Sequence, residues 1–217
     1  MILCELTGGN EQNPTYQALA ISNGDRVYRF LESVVTAAVA VNRPLLSETV
    51  VKAFNYHAIS CLHTNAGDYR PCEVTVGIHR PPEHYRVAAL MEDFVNTVNR
   101  SWVETDPIPL VAYVLWRLCH IHPFINGNGR TARAACYFVL CAKCGGSLPG
   151  TPTLPELLVR DRDEYVVALQ NIDASILSGV PDFAPLHALL TRLVIEQAQS
   201  ANPPAPAAPL QIAPPQP

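Results

Sequence analysis

Between Pro107 and Ile121 the sequence reads PIPLVAYVLWRLCHI, apolar nearly all round. A helix with no polar stripe cannot lie on a surface and has to be wrapped by other elements. This segment therefore predicts a central buried helix, and the rest of the chain has to supply its jacket. Asp25 to Val41 and Ser47 to His63 space apolar residues at three and four, with Ser47 placed to cap the second helix. The helical period returns from Glu83 to Trp102, and Arg130 to Cys144, Arg160 to Ile176 and Phe183 to Ala198 complete the set. Only Asp68 to Gly77 (DYRPCEVTVG) alternates with β-branched residues, which predicts a short strand or hairpin. The expected fold is mostly α: a helical bundle with one small β-hairpin.

With 217 residues, 48% hydrophobic, the chain has enough material for one domain with a real core. Residues 1–24 (TGG, NEQNP, SNGD) are turn-rich and read as an N-terminal arm, 25–198 as the domain. Residues 199–217 read as a disordered tail, since seven of the chain's 20 prolines and no charged side chain lie there. A net charge of −4 leaves no broad basic footprint for nucleic acid. The longest apolar run, Pro107 to Trp116, falls short of a membrane span, and no basic leader opens the sequence. Seven scattered cysteines then read as free thiols, and a cytoplasmic location is expected. Cys141 and Cys144 make a lone CxxC without a second pair, better explained by helix packing than by metal.

Directly after the buried helix comes HPFINGNGRTAR, residues 122–133. A loop feeding a new helix presents that helix's unpaired backbone N–H groups and the positive end of its dipole, which together make an anion site. Gly127 and Gly129 free the backbone to turn and to approach a ligand, and Asn128 between them adds an amide. Arg130 and Arg133, three apart, oppose the helix dipole unless an anion lies between them, and guanidinium forks suit phosphate oxygens. His122 stands at the rim, where an imidazole can take a proton from an attacking hydroxyl. The loop lacks both the Gly-Lys-Ser/Thr ending of a P-loop and a GxGxxG pattern. His120 makes an HxH with His122, but a helix end between them need not let the imidazoles converge, and His79 lies where it could meet a ligand. Asp161 to Glu164 reads as a solvated helix start.

The twelve residues resemble the signature of the Fic (Fido) family, HxFx(D/E)GNGRxxR: His122, Phe124, Gly127, Asn128, Gly129, Arg130 and Arg133 match at the family's spacing. Residues 66–82 (AGDYRPCEVTVGIHRPP) are similar to the family's flap hairpin, and 162–173 and 182–190 to its later helices, so the resemblance covers roughly residues 25–195. It implies a protein adenylyltransferase that moves AMP from ATP onto a Ser, Thr or Tyr hydroxyl of a target protein. His122 would be the general base. Gly127, Asn128 and Gly129 would bind the transferred phosphate, Arg130 and Arg133 the distal phosphates, and Val74, Thr75 and Val76 would clamp the target chain by backbone pairing. The family's acid at position 126 implies Mg²⁺, yet Asn126 stands there, a neutral and weaker oxygen ligand. Two alternatives therefore stay open: a nucleotide- or phosphate-binding module with little transfer, and transfer of another phosphate-containing group. The family's inhibitory motif, (S/T)xxxE(G/N), has no match, which implies a separate inhibitor protein or none.

Overall fold

The structure, a computed structural model, describes residues 3–201. Its helices in chain order are α1 (Leu3–Leu6), α2 (Pro14–Val41), α3 (Glu48–Ile59), α4 (Val87–Arg100), α5 (Pro107–Ile121), α6 (Asn128–Lys143), α7 (Leu154–Arg160), α8 (Arg162–Leu177) and α9 (Ala184–Ala201), with a 3-10 turn at His84–Arg86 before α4. The mostly α architecture is as expected. The α5 helix lies at the centre: Val111, Ala112, Val114, Leu115 and Ile121 have no exposed surface. It packs most extensively against α6, with α4 and α9 on other sides, while α2 and α3 cover α6. Phe54 of α3, Phe94 of α4 and Phe138 of α6 fill the space between layers, all fully buried.

Local chemistry sets most boundaries. Ser47 Oγ accepts the Val50 N–H at 3.2 Å, as its position predicts. Proline occupies the first turn of α5, where its missing N–H costs nothing. At other boundaries the structure departs from the sequence pattern. Helix α2 starts at Pro14, not Asp25, and runs straight through Ser22-Asn23-Gly24-Asp25. Asn23 is fully buried and its Nδ2 donates to the carbonyl oxygens of Ala58 (3.4 Å) and Ser60 (3.0 Å), so a turn former is held helical by tertiary hydrogen bonds. Helix α7 was not expected; its capping box, Thr153 with Glu156, is the signal that marks it.

The expected hairpin is also corrected. Among the described residues only one isolated antiparallel bridge forms, Val76 with His79, closed by N–H···O bonds of 3.1 and 3.0 Å. Val74 and Thr75 take no part in it. Pro71, Pro81 and Pro82 lack the donors a ladder needs. Buried Arg70 takes the carbonyls of Cys72 (3.0 Å) and Pro82 that a facing strand would use. Of the predicted tail, residues 199–201 continue α9, and the remainder lies outside the described residues.

Candidate active site

The site is built at the corner between α5 and α6. The first residue past α5, His122, adopts a left-handed conformation (φ 51°, ψ 60°) with its N–H on the Leu118 carbonyl at 3.0 Å. This is uncommon for a residue with a side chain, and it turns the chain sharply off the helix axis. Arg70 holds the turn in place: its Nε donates to His122 O at 2.9 Å and its backbone N–H to Pro123 O at 2.8 Å. Phe124 then plugs into the core, fully buried. Asn128 staples the loop closed, accepting the Phe124 N–H at 2.9 Å and donating to the Phe124 carbonyl at 2.8 Å. Gly127 (φ 76°) has to be glycine twice over, since a Cβ there would also stand 2.5 Å from Ile59 Cγ2.

A half-open cavity of about 260 Å³ lies beside this corner, and His122, Gly129 and Arg133 line it together. Burial depresses the His122 pKa to about 4, with His79 and Arg70 adding to the effect and a backbone contact to Cys119 opposing it. The imidazole is therefore neutral at pH 7 and able to accept a proton. Arg133 makes no ion pair among the described residues, and burial pulls its pKa down. A desolvated guanidinium without a carboxylate is costly unless an anion joins it. The first turn of α6, with its unpaired N–H groups, opens on the same space at Gly129.

The other expected site residues sit behind this wall rather than on it. Gly127 is buried against α3, and Asn128 uses its side chain within the loop. Arg130 does not join Arg133: its Nη1 donates to Ala58 O at 2.9 Å, at the carbonyl end of α3. Residues three apart on a helix are neighbours, so it is the electronegative end of α3 that draws the Arg130 guanidinium away from Arg133. Asn126 turns its Oδ1 to the Gly127 N–H at 2.6 Å, with Arg130 Nη2 3.4 Å away. That oxygen is neutral and already occupied by donors, so the loop does not fit Mg²⁺ at position 126. Of the cavity's lining residues only Asp173 carries a carboxylate. Val76 of the expected clamp lines the cavity; Val74 and Thr75 do not.

Several residues were not singled out in the sequence. Arg70 is only 2% exposed, and an arginine among turn formers gave no hint of it. Asn55 donates to Asn126 O (2.9 Å) and Thr131 Oγ1 (3.2 Å) and accepts the Gly67 N–H (2.9 Å), joining three segments behind the loop. Asp173 gathers His120 Nδ1 (2.8 Å) and Trp116 Nε1 (2.9 Å) on one oxygen. His120 thus pairs with α8, not with His122.

Comparison with known proteins agrees with this architecture. Residues 45–140 match the model of the Fic/DOC family. Over 68 residues the chain is 43% identical to "Protein adenylyltransferase Fic" of Drosophila erecta, which covers 31% of this chain and 14% of that protein. The protein of the same name from Drosophila persimilis matches at 43% identity, covering 31% of this chain and 13% of its own. The chain therefore aligns with only a small part of these relatives. Among solved structures, Fic-1 from C. elegans superposes with a TM-score of 0.66 at 23% identity, over 83% of this chain and 49% of that one. A Fic-domain-containing signaling protein from Bacteroides thetaiotaomicron superposes with a TM-score of 0.64 at 23% identity, over 83% of this chain and 72% of the other. Among the described residues no helix is long and apolar enough to cross a membrane. With the signature loop at the α5–α6 corner, residues 45–140 match the Fic/DOC family, and the fold around them is that of these solved Fic structures.

Proposed function

We propose that this protein transfers AMP from ATP to a Ser, Thr or Tyr hydroxyl of a target protein. One observation carries the reading: a half-buried, neutral imidazole at His122 and an unpaired guanidinium at Arg133 line one cavity beside the start of a helix. The target hydroxyl oxygen attacks the α-phosphorus. An O–P bond forms, the bond from the α-phosphorus to the bridging oxygen breaks, pyrophosphate leaves, and the hydroxyl proton passes to His122. Arg133 and the first N–H groups of α6 hold the phosphates, which is the kind of positioning and charge stabilisation that phosphoryl chemistry requires. Asn128, Gly127 and Arg130 fix the loop that carries these groups. The target segment pairs with Val74 to Val76, of which Val76 lines the cavity. Incubation with labelled ATP is expected to label the protein itself or a lysate protein, and His122→Ala to abolish the label. Absence of label from any nucleoside triphosphate would count against transfer.

A second reading has its own support in the Asn126 side chain, which faces Gly127 and Arg130 and offers no anionic ligand for Mg²⁺. On that reading the cavity binds a nucleotide or phosphate without transfer. Calorimetry separates the two. ATP binding lost in Arg133→Ala, with no turnover even in Asn126→Asp, would favour a binding module. Turnover gained in Asn126→Asp would identify an enzyme held back at its metal ligand. The mass added to a target distinguishes AMP from another phosphate-containing group.

A further inference from the structure

In the cavity beside the signature loop, three elements far apart in sequence bring His79, His120 and Asp173 together. His79 belongs to the turn closed by the Val76–His79 bridge, His120 to the last turn of α5, and Asp173 to α8. One ring nitrogen from each histidine and a carboxylate oxygen all lie within 4.8 Å of one another. The side chains are 22%, 27% and 29% exposed, reachable from solvent yet held.

The hydrogen bonds determine what this cluster is short of. His79 Nε2 lies 2.9 Å from the backbone carbonyl of His120. A carbonyl only accepts, so Nε2 carries a hydrogen and Nδ1 is the ring nitrogen turned to the cluster. That Nδ1 stands 3.5 Å from Asp173 Oδ2. A ring nitrogen and a carboxylate oxygen at this distance can hold one cation between them. The rest of the geometry is that of a metal site's supporting shell. Ligating histidines commonly donate their other N–H to a backbone carbonyl, as His79 does, and ligating carboxylates are themselves hydrogen-bonded, as Asp173 is by the Trp116 indole.

We propose that His79, His120 and Asp173 bind a divalent transition-metal ion of the zinc class. Two imidazoles and one carboxylate select zinc, cobalt or nickel over magnesium, which prefers oxygen ligands. Three protein ligands leave a coordination position for water or an anion, and all three residues line the cavity of His122 and Arg133. The ion also ties the Val76–His79 turn to α5 and α8, fixing one wall of that cavity. This site does not depend on AMP transfer and is distinct from any Mg²⁺ at position 126.

The test uses the full chain, stripped with chelator, reduced, and titrated with Co²⁺ while visible absorption is followed. One equivalent is expected to give the d–d bands of a low-coordinate nitrogen–oxygen site, and Zn²⁺ to bleach them. His79→Gln, in an exposed turn where folding is least at risk, is expected to weaken binding at least about tenfold. Asp173→Asn, which keeps an acceptor for Trp116, should do the same. Circular dichroism confirms that both variants are folded. Three outcomes overturn the proposal: no Co²⁺ bound, unchanged binding in folded His79→Gln, or a thiolate charge-transfer band placing the metal on the free cysteines. None of these outcomes bears on nucleotide transfer, which the labelling experiment decides separately.

Discussion

At the scale of single residues the site depends on where one imidazole keeps its proton. In the unfolded chain His122 protonates near 6.5, and in the folded protein only near 4. The unfolded state therefore binds more protons across that window, and stability is lost as pH falls from about 6.5 towards 4. The contribution is on the order of 2–3 kcal/mol. Urea unfolding of metal-free protein at pH 7.5 and pH 5 should show wild type losing stability between the two, and His122→Asn losing less by about that amount. An equal loss in both proteins would mean that His122 is not buried in its neutral form. Gly127 and Gly129 look alike in sequence yet do different work. One is walled in by Ile59 and Asn55; the other lines the cavity.

At the scale of elements, the α5–α6 loop is shaped by groups that never reach a ligand. Asn128→Ala leaves the Phe124 N–H and carbonyl without partners in a buried loop, at a cost of about 1–3 kcal/mol. It should also lower transfer activity, because Phe124 anchors the turn that carries His122. Thermal denaturation and labelling together check this; full activity in a destabilised variant would contradict the link. Arg70 holds the turn from the other side. Arg70→Ala orphans the carbonyls of His122, Cys72 and Pro82 and should cost at least about 2 kcal/mol. It should lower kcat more than it changes the KM for ATP, whereas equal effects on both would mean that it only loosens the fold.

The same scale shows what the sequence could tell. Helix α5 follows from an all-apolar run, and its two ends fall where Pro107 and His122 place them. The signature spacing located the corner. It could not show that Arg130 reaches back to α3 while Arg133 faces the cavity, because that division depends on which neighbour each side of α6 meets. The flap was over-read: alternation in CEVTV looked like strand, but buried Arg70 takes two of the carbonyls and Pro71, Pro81 and Pro82 lack the donors that a ladder needs. Asp173 and Arg70 were hidden for the same reason, since their partners lie far away along the chain.

At the scale of the whole molecule, a buried polar side chain helps to close the bundle at α9, beneath the surface ion pairs of Arg192 and Glu196 with Asp161, Glu164 and Arg160. Fully buried Gln197 accepts the Leu154 N–H at 2.8 Å and donates to Tyr137 Oη at 2.8 Å, tying α9 to α7 and α6. Gln197→Ala is expected to cost about 2–4 kcal/mol, from the orphaned groups and the space left. It should not alter nucleotide affinity, since Gln197 is not among the residues lining the cavity. A folded variant with unchanged stability would show that the Gln197 hydrogen bonds contribute nothing to closing the bundle.

On the proposed function, a neutral His122 and an unpaired Arg133 beside the start of α6 move AMP onto a protein hydroxyl. Mass spectrometry of proteins from cells co-expressing wild type or His122→Ala tests this most directly. The prediction is an AMP-sized adduct on a Ser, Thr or Tyr with wild type and its absence with His122→Ala. Identical adducts with both proteins, or none with either, would contradict it.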